Sequence, residues 1–407
     1  MPRGLARVSR ILSRAMGAAA HSPHTGRRAA LLAEARACGA ASILVFGFGS
    51  ALGAGTKSHG ALRYVSGWDG HESPSLLVVA PTGSSLLVGS PFMIPLARRL
   101  PADLTVIDAR PANWDRAVRE LSLPGPVATI GFDEMPAALH ARLAPLADGP
   151  SLDERAAWLR LRKDAGEIAA HRAAARLCDE LFGRLGPELM RRSTASDIQV
   201  ELEAHARRAG ADYCRTWLTI GPQADYCRYW PAETAASPEE GDQVLLGIAL
   251  TIDGHWGHGI RMGAVGPVRP DHAALHGLVE SMMEAALGAL RPGHPLAAVE
   301  AAMEQRLRES GSLNAHPGAR RFRNGHGLGH SYEEPVLTDA FPQHFDTSGT
   351  DTAGGSDVII APGMLLEIHP NLFIPGIGGA ALGEMLLVTE AGVDSLLSFP
   401  RSPVAWA

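Results

Sequence analysis

Between Arg27 and Leu143 the chain alternates two kinds of hydrophobic pattern. RRAALLAEARACGA keeps its apolar residues three and four positions apart, which is the period of a helix. SILVFGFG, SLLVVAP, SSLLVGS, LTVIDA and VATIGF are short apolar runs bounded by Gly, Pro or Ser, which is the signature of strands. The alternation predicts a small α/β domain over residues 26–150. Residues 151–192 change character, because SLDERAAWLRLRKDAGEIAAHRAAARLCDELFGRL sets Ala, Leu and Ile at helical spacing among charges and predicts linker helices. From 193 to 407 the pattern predicts a helix (ASDIQVELEAHARRAG) and strands around TWLTIG and DQVLLGIALTI. Two more helices (DHAALHGLVESMMEAALGAL and PLAAVEAAMEQRLRES) and a series of Gly-rich strands complete an α+β arrangement.

Composition narrows the partners. A chain of 407 residues is too long for one ordinary core, in line with two domains, and 46% apolar with 20% charged residues is globular composition. A formal net charge of -6 and a pI near 6.3 provide no basic field for phosphate backbones, so nucleic acid is not an expected partner. Cys38, Cys178, Cys214 and Cys227 are scattered without a CxxC pair, which argues against a disulfide framework or a thiolate zinc site and fits a cytoplasmic protein. The Arg-rich MPRGLARVSRILSRAMGAAA lacks the continuous apolar stretch of a secretory signal. Residues 1–25 are read as a disordered or amphipathic extension, with a transit peptide as the alternative. No segment approaches the roughly 20 apolar residues that span a bilayer, so no membrane partner is expected.

Seven segments carry a resemblance. LRYVSGW, RLRKDAGEIAAHRAAARL, GPQADYCRY, ALRPGHPLAAVEAAM, GHGLGHSYEEP, APGMLLEIHPNLF and GEMLLVTEAGVDSLLSFP occur in the order and spacing of the creatinase, prolidase, aminopeptidase P and methionine aminopeptidase ("pita-bread") family, which the chain resembles over nearly its whole length. Each motif alone is weak; their order is not. The resemblance implies an α/β N-terminal domain followed, after the linker, by an α+β pita-bread catalytic domain over 193–407, and a homodimer.

The same resemblance implies an altered metal site. GDQVLLGIALTIDGHWGHGIRMGAVG aligns without a gap and puts Gly247 and His258 at the family's two Asp positions. The His of G-H-G-[IL]-G falls on His326, with His330 as the ligand in an alternative register. His369 stands where the Glu after P-G-M is expected, and Gly383 where the last Glu is, with Glu384 beside it. The positions that serve one metal are therefore His258, His326 and His369, and those proper to the other are Gly247 and Gly383. This reads as one divalent ion retained, Fe(II), Zn or Mn, and one deleted. Three neutral imidazoles with open positions suit such an ion. Exchanging two carboxylates for imidazoles raises the charge of the site by two and favours an anionic ligand.

Other residues gather around this set. Glu367 lies two positions before His369 on a strand, on the same side, and could orient it or act as a general base. Glu333 replaces a family His that works on substrate, and with Glu384 completes the catalytic candidates. Arg228, Tyr229, Arg261, His330 and Glu334 are assigned to substrate binding, where an arginine could clamp a carboxylate. His255, three before His258, need not share its face and is read as a neighbour or solvent-facing residue. His59 and His71 are read as surface-loop histidines. The function expected is that of a mononuclear metal enzyme hydrolysing a C–N bond in a small amino-acid-like or amide substrate. An Fe(II)/O₂ oxygenase or lyase is the first alternative, and a metal-free or non-catalytic creatinase-like protein the second. Xaa-Pro peptidase activity ranks lower, because its carboxylates are missing.

Overall fold

A computed structural model describes residues 22–406 apart from 192, 229–232, 234, 336, 338–339 and 343–357. Residues 1–21 of the expected extension lie outside the described residues, and helix α1 (Pro23–Ala37) begins within the interval 1–25.

Each of the five apolar runs in the first part forms a strand: β1 (Ser42–Gly47), β2 (Ser75–Ala80), β3 (Gly83–Val88), β4 (Leu104–Asp108) and β5 (Val127–Ile130). They join in one mixed sheet of order β4-β3-β2-β1-β5, antiparallel at its centre and parallel at both outer pairings. Leu31 and Ala35 of α1, with Leu62 and Val65 of α2 (Lys57–Ser66), cover one face. Trp114 and Val118 cover the other. Burial on both faces explains why β1 and β2 read as continuous apolar runs rather than alternating ones.

Two linker helices follow, α3 (Asp153–Leu161) and α4 (Ala165–Met190). The α4 N-terminus is fixed by a capping box between Asp164 and Glu167, and the next helix, α5 (Ala195–Ala209), by one between Thr194 and Asp197.

The rest of the chain builds two four-stranded sheets. One has the order β15-β8-β7-β6, from β6 (Tyr213–Gly221), β7 (Gln243–Ile252), β8 (His255–Val265) and β15 (Val404–Trp406). The other has the order β14-β13-β10-β9, from β9 (Gly325–Gly327), β10 (Leu365–Ile368), β13 (Glu384–Thr389) and β14 (Gly392–Ser395), and a hairpin of β11 (Asn371–Ile374) and β12 (Gly378–Ala381) stands beside it. The two sheets are stitched where Gly383 N–H donates to Ile260 O at 3.1 Å. Helices α4 and α5 pack Leu181, Phe182, Ile198 and Leu202 on one side. On the other, α6 (Pro270–Ala289) and α7 (Ala297–Ser310) pack Met282, Met283, Val299 and Met303.

This layering gives β8 two distinct faces. Trp256, His258 and Ile260 look into a cleft. On the opposite face a Cβ at Gly257 would stand 2.8 Å from Ala174 Cβ of α4, so only glycine allows helix and strand to approach this closely. No helix among the described residues is long and apolar enough to cross a membrane.

Candidate metal centre

The cleft has a volume of about 1350 Å³, and His258, His326 and His369 sit together in its wall. His258 comes from β8, His326 from β9, and His369 follows β10 directly; β9 and β10 pair antiparallel with His326 opposite Glu367. The ring centroids are 5.1 Å apart for His326–His369, 6.0 Å for His258–His369 and 6.1 Å for His258–His326. Rings sharing one ion through bonds of about 2.0–2.1 Å place their centroids about 3.2 Å from it, hence about 5.2–5.6 Å from one another at tetrahedral to trigonal angles. The observed spacing is within half an ångström or so of that range. The nitrogens themselves are not drawn in to the same degree. Among the described residues, only Glu167, His255 and His330 bring three donor atoms within 4.8 Å of one another. Binding at the cleft therefore requires the imidazoles to turn on their χ angles, with little shift of the strands.

Orphaned polar atoms show whether these residues fit an ion. His326 Nδ1 lies 2.7 Å from Gly327 O and must donate to it, which leaves Nε2 a lone pair with no partner. His369 Nδ1 is likewise buried without a partner. His258 Nε2 is hydrogen-bonded to Tyr332 Oη at 2.9 Å. Its Nδ1 is 2.9 Å from Glu367 Oε1, but the pair is out of hydrogen-bonding alignment and both Glu367 oxygens remain unpartnered. Burial lowers the His258 imidazole to about 3 and also lowers His326. Burial, and then the neighbouring His326 and His258, hold His369 well below the usual range. Burial pushes the Glu367 carboxyl well above its usual range. An unpartnered buried imidazole costs about 1–3 kcal/mol and an uncompensated buried carboxylate several. Glu367 is thus either protonated or facing a cation, and neutral imidazoles are the state in which histidine ligates. The donors fit a divalent ion.

Two glycines stand at the positions where the family resemblance expects carboxylates. A Cβ at Gly247 would lie 1.9 Å from Trp217 Nε1, because Trp217 sits opposite Gly247 on β6 and lays its indole over it. A Cβ at Gly383 would lie 2.7 Å from Glu367 Oε1. An indole fills the space over Gly247, and a carboxylate from the adjacent strand fills the space beside Gly383.

The remaining candidates separate. Glu333 lines the cleft, 3.9 Å from Arg323, which is buried. Arg261 does not reach the cleft. Its guanidinium is buried against Glu384 at 2.5 Å, Gly383 O at 2.6 Å and Phe399 O, and this pairing also removes Glu384. Glu334 is buried against Arg160 at 3.0 Å and accepts from Ser331 N–H at 2.6 Å, so it braces the linker rather than the cleft. Arg228 turns to Ile220 O and over the Tyr226 ring. Tyr229 lies outside the described residues. His330 faces away from the other three and lines a separate small cavity. His255 joins it on the α4 side of β8, 4.2 Å between ring centroids. His71 is exposed as expected, whereas His59 is buried in α2 with Nδ1 on Phe48 O at 2.9 Å, since the segment is helical rather than a loop. Sequence reasoning missed Trp217, Tyr332 and Arg323. For Trp217 the available signal was a large residue on the strand preceding a glycine at a ligand position.

The model of the metallopeptidase family M24 matches residues 169–390. The probable dipeptidase PepE of Mycobacterium tuberculosis (strain ATCC 25618 / H37Rv) is 29% identical over 284 residues, which is 68% of this chain and 69% of that protein. Among solved structures, dipeptidase PepE from Mycobacterium ulcerans superposes with a TM-score of 0.73 at 23% identity, covering 94% of this chain and 98% of its own. The N-terminal domain of FACT complex subunit SPT16 from Cicer arietinum superposes at 0.72 and 14% identity, with 94% and 98% covered. The α/β-then-mixed architecture is the pita-bread fold. Since a dipeptidase and a FACT subunit share it, what this chain does has to be argued from its site.

Proposed function

The chain belongs to the metallopeptidase family M24, and from that premise we propose that it is a single-metal hydrolase cleaving the C–N bond of a small amino-acid-like substrate, a dipeptide or an amide. The observation that carries this reading is the set of buried, unpartnered donors at His258 Nδ1, His326 Nε2 and His369 Nδ1 in the wall of an open cleft, with the unpartnered Glu367 carboxylate buried 2.9 Å from His258 Nδ1. The indole over Gly247 and the carboxylate beside Gly383 support one ion, of zinc, manganese or iron type, in place of two.

A divalent ion held there supplies Lewis acidity and a water of lowered pKa. The chain's own residues supply the rest. Glu367, with its raised proton affinity, is suited to accept a proton at a carboxylate oxygen and return it to the leaving amine. Tyr332 fixes the His258 ring through Nε2. Arg320 and Arg323 line the cleft beside the histidines and suit a substrate carboxylate, while Arg321 is paired with Glu304. Glu333 stands among them, placed to meet a substrate amine. The domain bounds 26–150, 151–192 and 193–407 and a homodimer belong to the same proposal. The relatives named as dipeptidases favour hydrolysis, so the oxygenase and lyase alternatives are not carried forward.

The test is a panel of dipeptides and N-acyl amino acids, Xaa-Pro included, offered to chelator-stripped protein reloaded with Zn, Mn or Fe(II). Hydrolysis that returns with one equivalent of metal bound at the cleft, the equivalent that H326A/H369A removes, is expected. A protein carrying that cleft equivalent that cleaves nothing on the panel with any of the three ions contradicts the proposal.

A further inference from the structure

A second cluster of histidines occupies the other face of β8. His171 and Glu167 lie one turn apart on α4, His255 opens β8, and His330 follows β9. All four side chains are buried, His171 completely and His255 least, at 9% exposure. The ring centroids are 4.2 Å apart for His255–His330 and 5.2 Å for His171–His255.

Backbone carbonyls set the tautomers. His171 Nδ1 is 2.8 Å from Trp256 O, His255 Nδ1 is 2.8 Å from Asp253 O, and His330 Nδ1 is 3.1 Å from Gly254 O. A carbonyl oxygen only accepts, so in all three rings Nδ1 carries the hydrogen and Nε2 presents a lone pair. This is the arrangement in which an outer hydrogen bond orients a metal-ligating imidazole. His171 Nε2 and His330 Nε2 are buried with no hydrogen-bond partner, where most buried polar atoms have one. Burial first, and His255 next, hold both rings well below the usual histidine range, so they are neutral.

We propose that Glu167, His171, His255 and His330 form a second, structural site for a divalent ion of the zinc class, separate from the cleft. Three imidazole nitrogens and one carboxylate oxygen are a complete tetrahedral set, and such a closed set marks structural rather than catalytic zinc. The donor atoms of Glu167, His255 and His330 already lie within 4.8 Å of one another. Tetrahedral ligand atoms stand about 3.4 Å apart, so closing the shell takes side-chain rotation that also brings in His171, which stands outside that group of three. A cavity of about 100 Å³ reaches His330 and provides a way in. Lys163 and Arg27 also lie near; Arg27 pairs with Glu167 at 3.0 Å, and Lys163 donates to Arg160 O. The ion would tie α4 to β8 and to the segment after β9, behind the wall that carries Trp256, whose indole N–H donates to His330 O at 3.2 Å.

The site stands whether or not the cleft binds a metal, and its test removes the cleft first. Full-length H326A/H369A protein, folded by circular dichroism, is titrated with Zn²⁺ alone, and retained zinc is counted by mass spectrometry after gel filtration. One equivalent is expected, together with a higher melting temperature. Adding H255A should lose that equivalent and the thermal shift. If H255A compromises folding, cobalt(II) in the H326A/H369A protein gives the answer instead, through the visible spectrum of a four-coordinate site with nitrogen and oxygen ligands. No zinc in H326A/H369A, an equivalent that survives H255A, or an octahedral cobalt spectrum overturns the proposal.

Discussion

His258 and His255 sit three residues apart on one strand, and the two faces of β8 put them in opposite settings. The His258 face opens on a cleft of about 1350 Å³ with arginines and acids in its lining, while the His255 face packs against α4, with a cavity of about 100 Å³ reaching His330 beside it. Both faces gather imidazoles that burial keeps neutral, together with one carboxylate. The donor types barely differ. What differs is room for a substrate, and room is what separates a catalytic metal position from a structural one.

The sharpest way to break this contrast is to remove a ligand on each face. H326A or H369A should lower dipeptide hydrolysis by at least about 10³-fold with little change in melting temperature, because metal-assisted attack is lost while the strands remain. H330A should do the reverse, lowering the melting temperature in the presence of zinc while kcat/KM stays within a few-fold. If the two variants behave alike, the contrast fails. Glu367→Gln keeps the shape of the side chain and removes the proton acceptor, so kcat should fall about 10²- to 10⁴-fold while the metal content is retained, as read by steady-state kinetics and elemental analysis.

The scaffold behind the open face titrates. Glu300 on α7 accepts from Asn324 Nδ2 at 3.0 Å, two residues before His326, and burial, followed by the charge of Glu304, raises its carboxyl to about 7. A carboxyl raised from its ordinary 4.5 to about 7 contributes stability fully below pH 4.5, and that contribution is lost as the pH rises through 7. Unfolding free energy should decline over this window by an amount on the order of 3 kcal/mol, and Glu300→Gln should flatten the decline in denaturant titrations at several pH values. The smallest effect expected is that of Tyr332→Phe. It removes one hydrogen bond to His258 and should cost about fivefold in kcat/KM, in keeping with about 1 kcal/mol for such a bond.

Much of the fold was legible because it is local. Each predicted strand of the first domain and each long helix reflects its own hydrophobic period, and the ordered motifs identified the family. The candidate histidines 258, 326 and 369 were legible for the same reason, as substitutions at fixed motif positions. Legibility ended where two distant segments share a volume. A large residue on the preceding strand hints at cover for Gly247, but only the β6–β7 register shows that Trp217 lies over it. Arg261 and Glu384 sit in motif segments and read as substrate-facing residues, yet they bind each other across 123 positions. His330 read as a cleft residue because it follows GHGLG, but the turn after β9 carries it to the α4 side. Strand alternation did separate His255 from His258; what His255 would meet was not written nearby.

The proposed cleft site holds one ion among His258, His326 and His369, with Trp217 in the room a second would need. Anomalous diffraction at the metal edge, from crystals of the full chain grown with the activating metal, tests it directly. One cleft peak is expected, within about 2.0–2.2 Å of a nitrogen from each of the three rings. A pair of cleft peaks about 3.5–4 Å apart, with the Trp217 indole displaced, or a metal-loaded and active protein with no peak among these rings, would contradict it.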